Sequence, residues 1–326
     1  MRVVAVSAIL CLCFTLALAG EPLIDASFVD HLNAMVNTPW KADLHAGSRI
    51  EGITREQAKA MMGVKSRVKK LPRRVFTAEE RAMAIPSSFD AKDKWPQCPT
   101  ITHIRDQSAC GSCWAVAAAE AISDRYCTLA NITDRLISAA NIMECCWWCG
   151  SGCQGGDPSS AWSDWTITGF TSDECQPYPF AKCEHHIPSS HYPQCPSSAY
   201  PTPSCSTTCT SNSTSSYRLY KGKTSYSLSG VEDFQREIMT NGPIEVAFDV
   251  YKDLLSYRSG VYVQHSQDYL GGHAVKMVGW GTLNGMDYWK IANSWNRDWG
   301  MDGYFLIERG VDMCGIEDSG VAGSPV

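Results

Sequence analysis

An α+β fold built from two packed halves is expected, and three observations predict it. Helical signals come early, at Ser112 to Tyr126, Thr133 to Glu144 and Pro158 to Thr168. Strand-like runs come late, beyond Gly242-Pro243, at Ile244 to Val250, His273 to Trp280, Tyr288 to Ala292 and Tyr304 to Ile307. Between them, residues 187–216 are rich in Pro, Ser, Thr and Cys and read as loop. Helices followed by strands over residues 86–326 suit two half-sized cores packed against each other. A ligand cleft is expected where the halves meet.

The N-terminus is read separately. Arg2, the apolar run Val3 to Leu16 and the small residues Ala17-Leu18-Ala19 have the layout of a signal peptide over 1–19. That run is too short for a membrane anchor, and no later apolar run approaches the roughly 18 residues a span needs. These features imply a processed, soluble chain bound for an oxidising compartment. Of 16 cysteines, Cys11 and Cys13 leave with the leader, and disulfides are expected among the rest. Spacing alone cannot fix their pairing. Sequons at Asn131 and Asn212 are expected glycosylation sites.

Residues 20–85 differ in composition from residues 86–326. They hold no cysteine and carry 11 Lys/Arg against 8 Asp/Glu, whereas residues 86–326 carry 16 against 26. A basic head on an acidic body suggests a detachable, electrostatically docked segment; an ordinary linker is the alternative. Phe28 to Asn37 and Thr54 to Met62 read as its helices, and the basic run Lys65 to Arg74 as exposed and cleavable. The acidic balance of 86–326 makes nucleic acid an unexpected partner.

The chemistry is concentrated in Cys110-Gly111-Ser112-Cys113-Trp114. Cys113 stands at the start of an apolar helical run, where the dipole and free N–H groups favour the nucleophilic thiolate. His273, in Gly271-Gly272-His273-Ala274-Val275, is the candidate base. Asn293 is the candidate orienter, a neutral amide that fixes one imidazole tautomer. Gln107, six residues before Cys113, could pair its amide with the Cys113 backbone N–H as an oxyanion hole. A structural disulfide for Cys113 and a structural His273 are the plainer readings; the four residues together favour catalysis.

These residues resemble the papain-like cysteine proteases. That signature places His and Asn roughly 130–150 residues after the cysteine; here the separations are 160 and 180, so material is inserted between nucleophile and base. The inserted stretch is Cys183-Glu184-His185-His186, closed by Cys195, and it is similar to the occluding loop of cathepsin B. Cys145-Cys146 followed by Cys149 and Cys153, Gly155-Gly156, and Asn293-Ser294-Trp295-Asn296 support that subfamily, and the resemblance runs from Leu23 to the C-terminus.

The resemblance implies a papain-like two-domain fold, with a helical left half and a β-barrel-like right half flanking the active-site cleft. It implies six bridges: Cys98–Cys127, Cys110–Cys153, Cys145–Cys205, Cys146–Cys149, Cys175–Cys209 and Cys183–Cys195. Cys113 and Cys314 remain as thiols, Cys314 a bystander. Residues 20–85 become a propeptide lying through the cleft in reverse of a substrate, and a mature domain at 86–326 carries the loop 183–195. Gly155 and Gly156 would leave the cleft floor open to substrate backbone, and Trp295 would shield the His273–Asn293 bond. His185 and His186 would bind a substrate's terminal carboxylate, giving dipeptide release from the C-terminus, with Asp106 as partner of His185.

Two departures stand out. No arginine lies between Cys183 and Cys195, so Asp298 would pair with Ser190 or His191 instead, and a looser loop is expected. Ser319 falls where mammalian cathepsin B has an S2 glutamate, so hydrophobic or aromatic P2 residues should be preferred over arginine. Partners implied are peptide and protein substrates, the propeptide as intramolecular inhibitor and cystatin-type inhibitors, acting on a monomer. The compartment implied is lysosomal or similarly acidic, with secretion an alternative. A zinc site on Cys183, His185, His186 and Cys195 is disfavoured, because adjacent histidines serve one ion poorly; no metal or cofactor is expected beyond reducing conditions. A catalytically dead binding protein on the same fold and a transpeptidase are the rival functions.

Overall fold

The computed structural model describes residues 23–35, 38–44, 53–65, 71–184 and 191–326. The leader reading at 1–19 and the pair His185-His186 lie outside them. The N-terminal segment contributes α1 (Ala26–Ala34), β1 (Trp40–Ala42), α2 (Arg55–Ala60) and α3 (Ala78–Ala82). A short β2 (Phe89–Asp90) and α4 (Ala91–Lys94) come next, then α5 (Cys113–Ala130), α6 (Ala139–Cys145) and α7 (Pro158–Ile167). The last third holds β3 (Gly222–Leu228), α8 (Val231–Asn241), β4 (Ile244–Tyr251), β5 (Tyr257–Tyr262), β6 (Tyr269–Leu283), β7 (Met286–Ala292), β8 (Tyr304–Glu308) and β9 (Gly320–Pro325).

α5 is rich in alanine, free of glycine and buried on every side from Cys113 to Cys127, as a helix through the middle of a core must be. It stops where Asn131 turns left-handed at φ 54°. α7 starts where the Asp157 side chain accepts from the Ser160 N–H and Pro158 takes the first turn. The strands form one sheet in the order β1-β5-β8-β7-β6-β4-β9-β3, with β2 on β6. β5 and β8 pair in parallel, and the other pairs are antiparallel.

Two large cores result. One packs Trp114, Ile122, Ile142, Trp162 and Trp165 among α5, α6 and α7. The other packs Phe248, Trp280, Trp289, Trp295 and Trp299 on the sheet. The expected α+β architecture is therefore present, with two local differences. The second helix begins at Ala139 rather than Thr133, because the Ser138 hydroxyl caps it and Ile137 instead bridges to Ser172. The later, strand-rich half also holds a helix, α8, whose Phe234 and Ile238 pack in the sheet's core.

The N-terminal segment is no loose linker. β1 pairs with β5. Trp40 is 1% exposed, packs against Tyr257, Tyr262 and His265, and donates to the Val263 carbonyl at 2.9 Å. Arg55 pairs with Asp268. Among the described residues, six disulfides join Cys98–Cys127, Cys110–Cys153, Cys145–Cys205, Cys146–Cys149, Cys175–Cys209 and Cys183–Cys195, while Cys113 and Cys314 remain thiols.

Buried ion pairs span the halves. Lys276 of β6 meets Asp124 of α5 at 3.0 Å with neither side chain exposed, and Lys276 also donates to the carbonyls of Thr100 and Ile101. Glu120, one turn nearer Cys113, is pushed up to about 7 by burial, against the opposing pull of Lys276 and Arg105. Removing the shared cation strands buried carboxylates. Lys276→Ala is expected to lower stability by about 3–5 kcal/mol, read by urea denaturation of protein also carrying Cys113→Ser to prevent self-digestion.

Candidate active site

Cys113 is the first residue of α5 and is fully buried. The helix N-terminus acts on it through the Trp114 N–H, which lowers the thiol pKa, but burial dominates and pushes it up to about 11. The helix start pulls toward thiolate as expected, but with the N-terminal segment in place the sulfur is covered and burial outweighs that pull. Its cover is the N-terminal segment, whose Gly63 N–H donates to Sγ at 3.2 Å. The Ala274 N–H, next to His273, also bonds the sulfur, and Cys113 packs with Ala117, Ala274 and Val64. Nucleophile and candidate base therefore meet across the α5–β6 seam.

His273 sits on β6 opposite Phe248, with no exposure. One ring nitrogen, Nε2, lies 2.8 Å from Asn293 Oδ1, and Asn293 comes directly after the end of β7. An amide oxygen can only accept, so Nε2 carries the proton and Nδ1 is left as the nitrogen for chemistry. Trp295 stacks on the imidazole at 5.0 Å and 27°, and is itself buried.

Gln107 is held from every side. Its backbone N–H donates to the Ser294 carbonyl at 2.9 Å, and its Oε1 accepts from the Ser294 hydroxyl at 2.8 Å. The Tyr178 hydroxyl donates to the Gln107 carbonyl at 2.8 Å and lies 2.6 Å from the Ser112 hydroxyl. Gln107 Nε2 donates to the carbonyls of Cys110 and Met61, at 2.7 and 2.9 Å. Sequence reasoning missed Tyr178 and Ser294, since a tyrosine in a loop and a serine after Asn293 carry no signal until the chain folds.

Residues 61–65 lie along the cleft by backbone bonds. Gly156 N–H donates to Gly63 O at 2.8 Å, Lys65 N–H to Gly156 O at 2.9 Å, and Val64 N–H to Gly272 O at 3.0 Å. Val64 bridges Gly156 in parallel. Glycine at 63 is required: a Cβ there would stand 2.0 Å from the Gly111 carbonyl oxygen and 3.1 Å from Cys113 Sγ. Gly156 is equally constrained, its absent Cβ facing the Trp114 ring at 2.5 Å. Gly155 adopts φ +103° beside the side chain of Lys65.

The insertion between Cys183 and Cys195 is tied down at two places. At its base, Asp106 accepts from the Cys183 N–H at 3.2 Å, and Asn296 donates to Asp106 and to the Cys183 carbonyl. Near its far end, His191 Nδ1 lies 3.1 Å from the Asp298 carboxylate. Ser319 is half-buried ahead of β9. Glu317, two residues earlier, accepts from Trp289 Nε1 and from the Gly310 and Asp312 N–H groups, so it is committed to its own loop. Asn131 and Asn212 are both exposed. Among the described residues, one cluster has metal-ligand spacing, Cys146, Cys149 and Asp164, and its two sulfurs are bonded to each other.

The fold and cleft belong to a known class. The family profile of papain family cysteine proteases matches residues 85–324. The chain is 46% identical to cathepsin B-like cysteine proteinase 5 of Caenorhabditis elegans, covering 95% of this chain and 91% of that protein. It is 49% identical to cathepsin B-like cysteine proteinase 6 of the same organism, over 74% and 67% of the two chains. A procathepsin B of Trypanosoma congolense superimposes with a TM-score of 0.85 at 45% identity, over 94% of this chain and 99% of that one. This chain belongs to the papain family of cysteine proteases, as a cathepsin B-like member that includes the segment of a zymogen.

Covering by Gly63 should be measurable. In the full-length protein at pH 7, iodoacetamide should leave Cys113 largely unmodified, with reaction rising only as pH climbs toward the thiol's raised pKa. Gly63→Ala, which forces backbone off backbone, should speed Cys113 alkylation by roughly tenfold or more. Peptide mapping by mass separates Cys113 from Cys314; an unchanged Cys113 rate in the variant would count against the seal.

Proposed function

We propose that the mature enzyme hydrolyses peptide bonds through an acyl-enzyme on Cys113, and that residues 20–85 are the propeptide that suppresses this until removed. The observation that carries the reading is the convergence at one cleft of Cys113, His273 oriented by Asn293, and Gln107. With the propeptide gone, the sulfur gains solvent and loses much of the burial that raises its pKa. The thiolate then attacks the scissile carbonyl carbon. The oxyanion is received by Gln107 Nε2, which now holds the Met61 carbonyl, and by the Cys113 N–H. Protonated His273 passes its Nδ1 proton to the leaving amine, then takes a proton from the water that releases the acyl group. Asn293 keeps the ring in register, and Trp295 shields that bond.

The direction of the propeptide explains why it survives in the cleft. It presents an amide N–H to the sulfur at Gly63, whereas a substrate presents a carbonyl carbon. No electrophile stands where the nucleophile would attack.

The disulfide-closed loop 183–195 gives the site its second activity, release of C-terminal dipeptides. His185 and His186 as imidazolium ions would hold the free carboxylate of a substrate. Anchorage at Asp106 and at the His191–Asp298 pair supports a loop that closes one end of the cleft. An acidic compartment of the secretory pathway is the proposed destination, and cystatin-type inhibitors are suitable partners. Ser319 in the S2 region leaves no carboxylate to favour arginine at P2.

Three outcomes are expected. Gln107→Ala should lower kcat by roughly 10²–10³, while Cys113→Ser removes activity on a fluorogenic peptide. His191→Arg, which offers the Asp298 carboxylate a two-pronged guanidinium in place of one ring nitrogen, should raise dipeptide release relative to internal cleavage. The readout is mass analysis of products from a free-C-terminus peptide. Equal dipeptide release by the parent protein and the variant would count against a tie at residue 191.

A further inference from the structure

Residues 71–83 grip the molecule a second time, using none of the groups that hold residues 61–65. Arg73 bridges Ser227 of β3 in parallel. The Arg74 N–H donates to Ser227 O and the Ser227 N–H donates to Pro72 O, both at 2.9 Å. β3 is the end strand of the sheet, so the segment extends an edge that would otherwise be open. Its side chains then engage α8. Arg73 meets Asp233 at 2.9 Å. Arg74 meets Glu237 at 3.3 Å, a carboxylate with no exposure that is also held by Arg125 at 2.8 Å and the Tyr226 hydroxyl at 2.6 Å. The Arg74 guanidinium lies over the rings of Phe76 and Tyr226, 4.8 and 5.4 Å from their centroids. Phe76 is 5% exposed and joins the sheet's core. Arg236 closes the far end, donating to the carbonyls of Glu80 and Met83 at 2.6 and 2.8 Å.

An open strand edge, an anionic pit and an apolar seat at fixed spacing make a peptide-reading surface. We propose that in the mature enzyme this strip of β3 and α8 is a docking site, outside the catalytic cleft, for an extended segment of a polypeptide substrate. The segment it fits carries a basic residue followed two positions later by an aromatic one, as Arg74-Val75-Phe76 does here. The proposal rests on the reading of the chain as a protease with a removable propeptide. The pit does not depend on its present occupant: Glu237 keeps Arg125, Tyr226 and Asn241 as partners when Arg74 leaves. Ser227 regains a free N–H and C=O on the sheet edge. Docking adds no chemistry; it raises the local concentration of the scissile segment, so KM falls while kcat holds.

The test uses mature enzyme with its N-terminus near Ile85 and two substrates. One is a short fluorogenic peptide; the other joins the same scissile sequence by a flexible linker to residues 71–83. The joined substrate should show a KM at least fivefold lower with kcat unchanged. Free 71–83 peptide should erase that advantage without inhibiting the short substrate, and should bind active-site-alkylated enzyme in a fluorescence anisotropy titration. R74A or F76A in the peptide should weaken binding by roughly tenfold or more, changes that leave the enzyme's folding untouched. Asp233→Asn on the enzyme should weaken it too. Equal KM for the two substrates, or loss of peptide binding when the cleft is blocked, would overturn the docking site. Failure to cleave the short substrate would instead condemn the protease reading, and the anisotropy arm would still decide whether the strip binds.

Discussion

The seam between α5 and β6 is the contact on which the candidate site depends, because each side supplies one half of the proposed chemistry. Cys113 opens α5, His273 lies on β6, and between the two elements Cys113 packs against the small side chains of Ala117 and Ala274. The Lys276–Asp124 pair lies in the same seam, three residues past His273 and three turns past Cys113. A buried ion pair adds little net stability, but it tolerates few alternative alignments. Hydrophobic packing alone would let α5 slide along the sheet with little loss. A lysine that must reach Asp124 and two backbone carbonyls sets the register instead. Gln107 extends the same logic, since Ser294, next to Asn293, holds both its backbone and its side chain. The proposed oxyanion donor and imidazole orienter are thus tied together through Ser294.

Latency arises from geometry and dielectric together. Residues 61–65 satisfy the cleft's backbone groups one by one, so the closed state leaves few unmet hydrogen bonds. Exclusion of water then raises the thiol pKa, because a thiolate in that space would lack solvation. The same helix N-terminus that favours a thiolate in an open cleft is overruled in a closed one. Inhibition therefore acts on the nucleophile's charge as well as on access to it.

The residues of the candidate site were the most legible part of the sequence, since Cys113, His273, Asn293 and Gln107 stand in local motifs whose residue types are chemically unusual. The helix α5 and the strands β4, β6, β7 and β8 were legible because each is largely apolar, and α7 because Pro158 marks its first turn. Residues 133–138 mislead because their composition suits a helix, while the Ser138 cap and the Ile137–Ser172 bridge depend on partners distant in sequence. α8 has a clear helical pattern, yet nothing local says that Phe234 and Ile238 face the sheet. Glu120, Asp124 and Lys276 were invisible for a related reason: charges on an apolar helix and strand read as exposed, and only the fold brings them together in the dark. Trp40 and Arg74 likewise gain meaning only from the surfaces they meet.

Covalent continuity joins the two anchors of the N-terminal segment into one inhibitor. Residues 23–65 hold the sheet and the cleft; residues 71–83 hold β3 and α8. While the chain between them is intact, each anchor keeps the other at a high effective concentration, which strengthens the pair by a factor of roughly 10²–10⁴ over either alone. A single cut between them removes that factor without altering one contact. The cleft half must then survive on its own contacts: its backbone bonds, the β1–β5 pairing, the burial of Trp40 and the Arg55–Asp268 pair. The α8 half stays attached to the enzyme's own N-terminus and keeps its tether. With the proposed boundary near residue 85, the two halves would then differ in tether: the part that covers Cys113 would be held by its contacts alone, and the part on the β3–α8 strip by its contacts and by the chain.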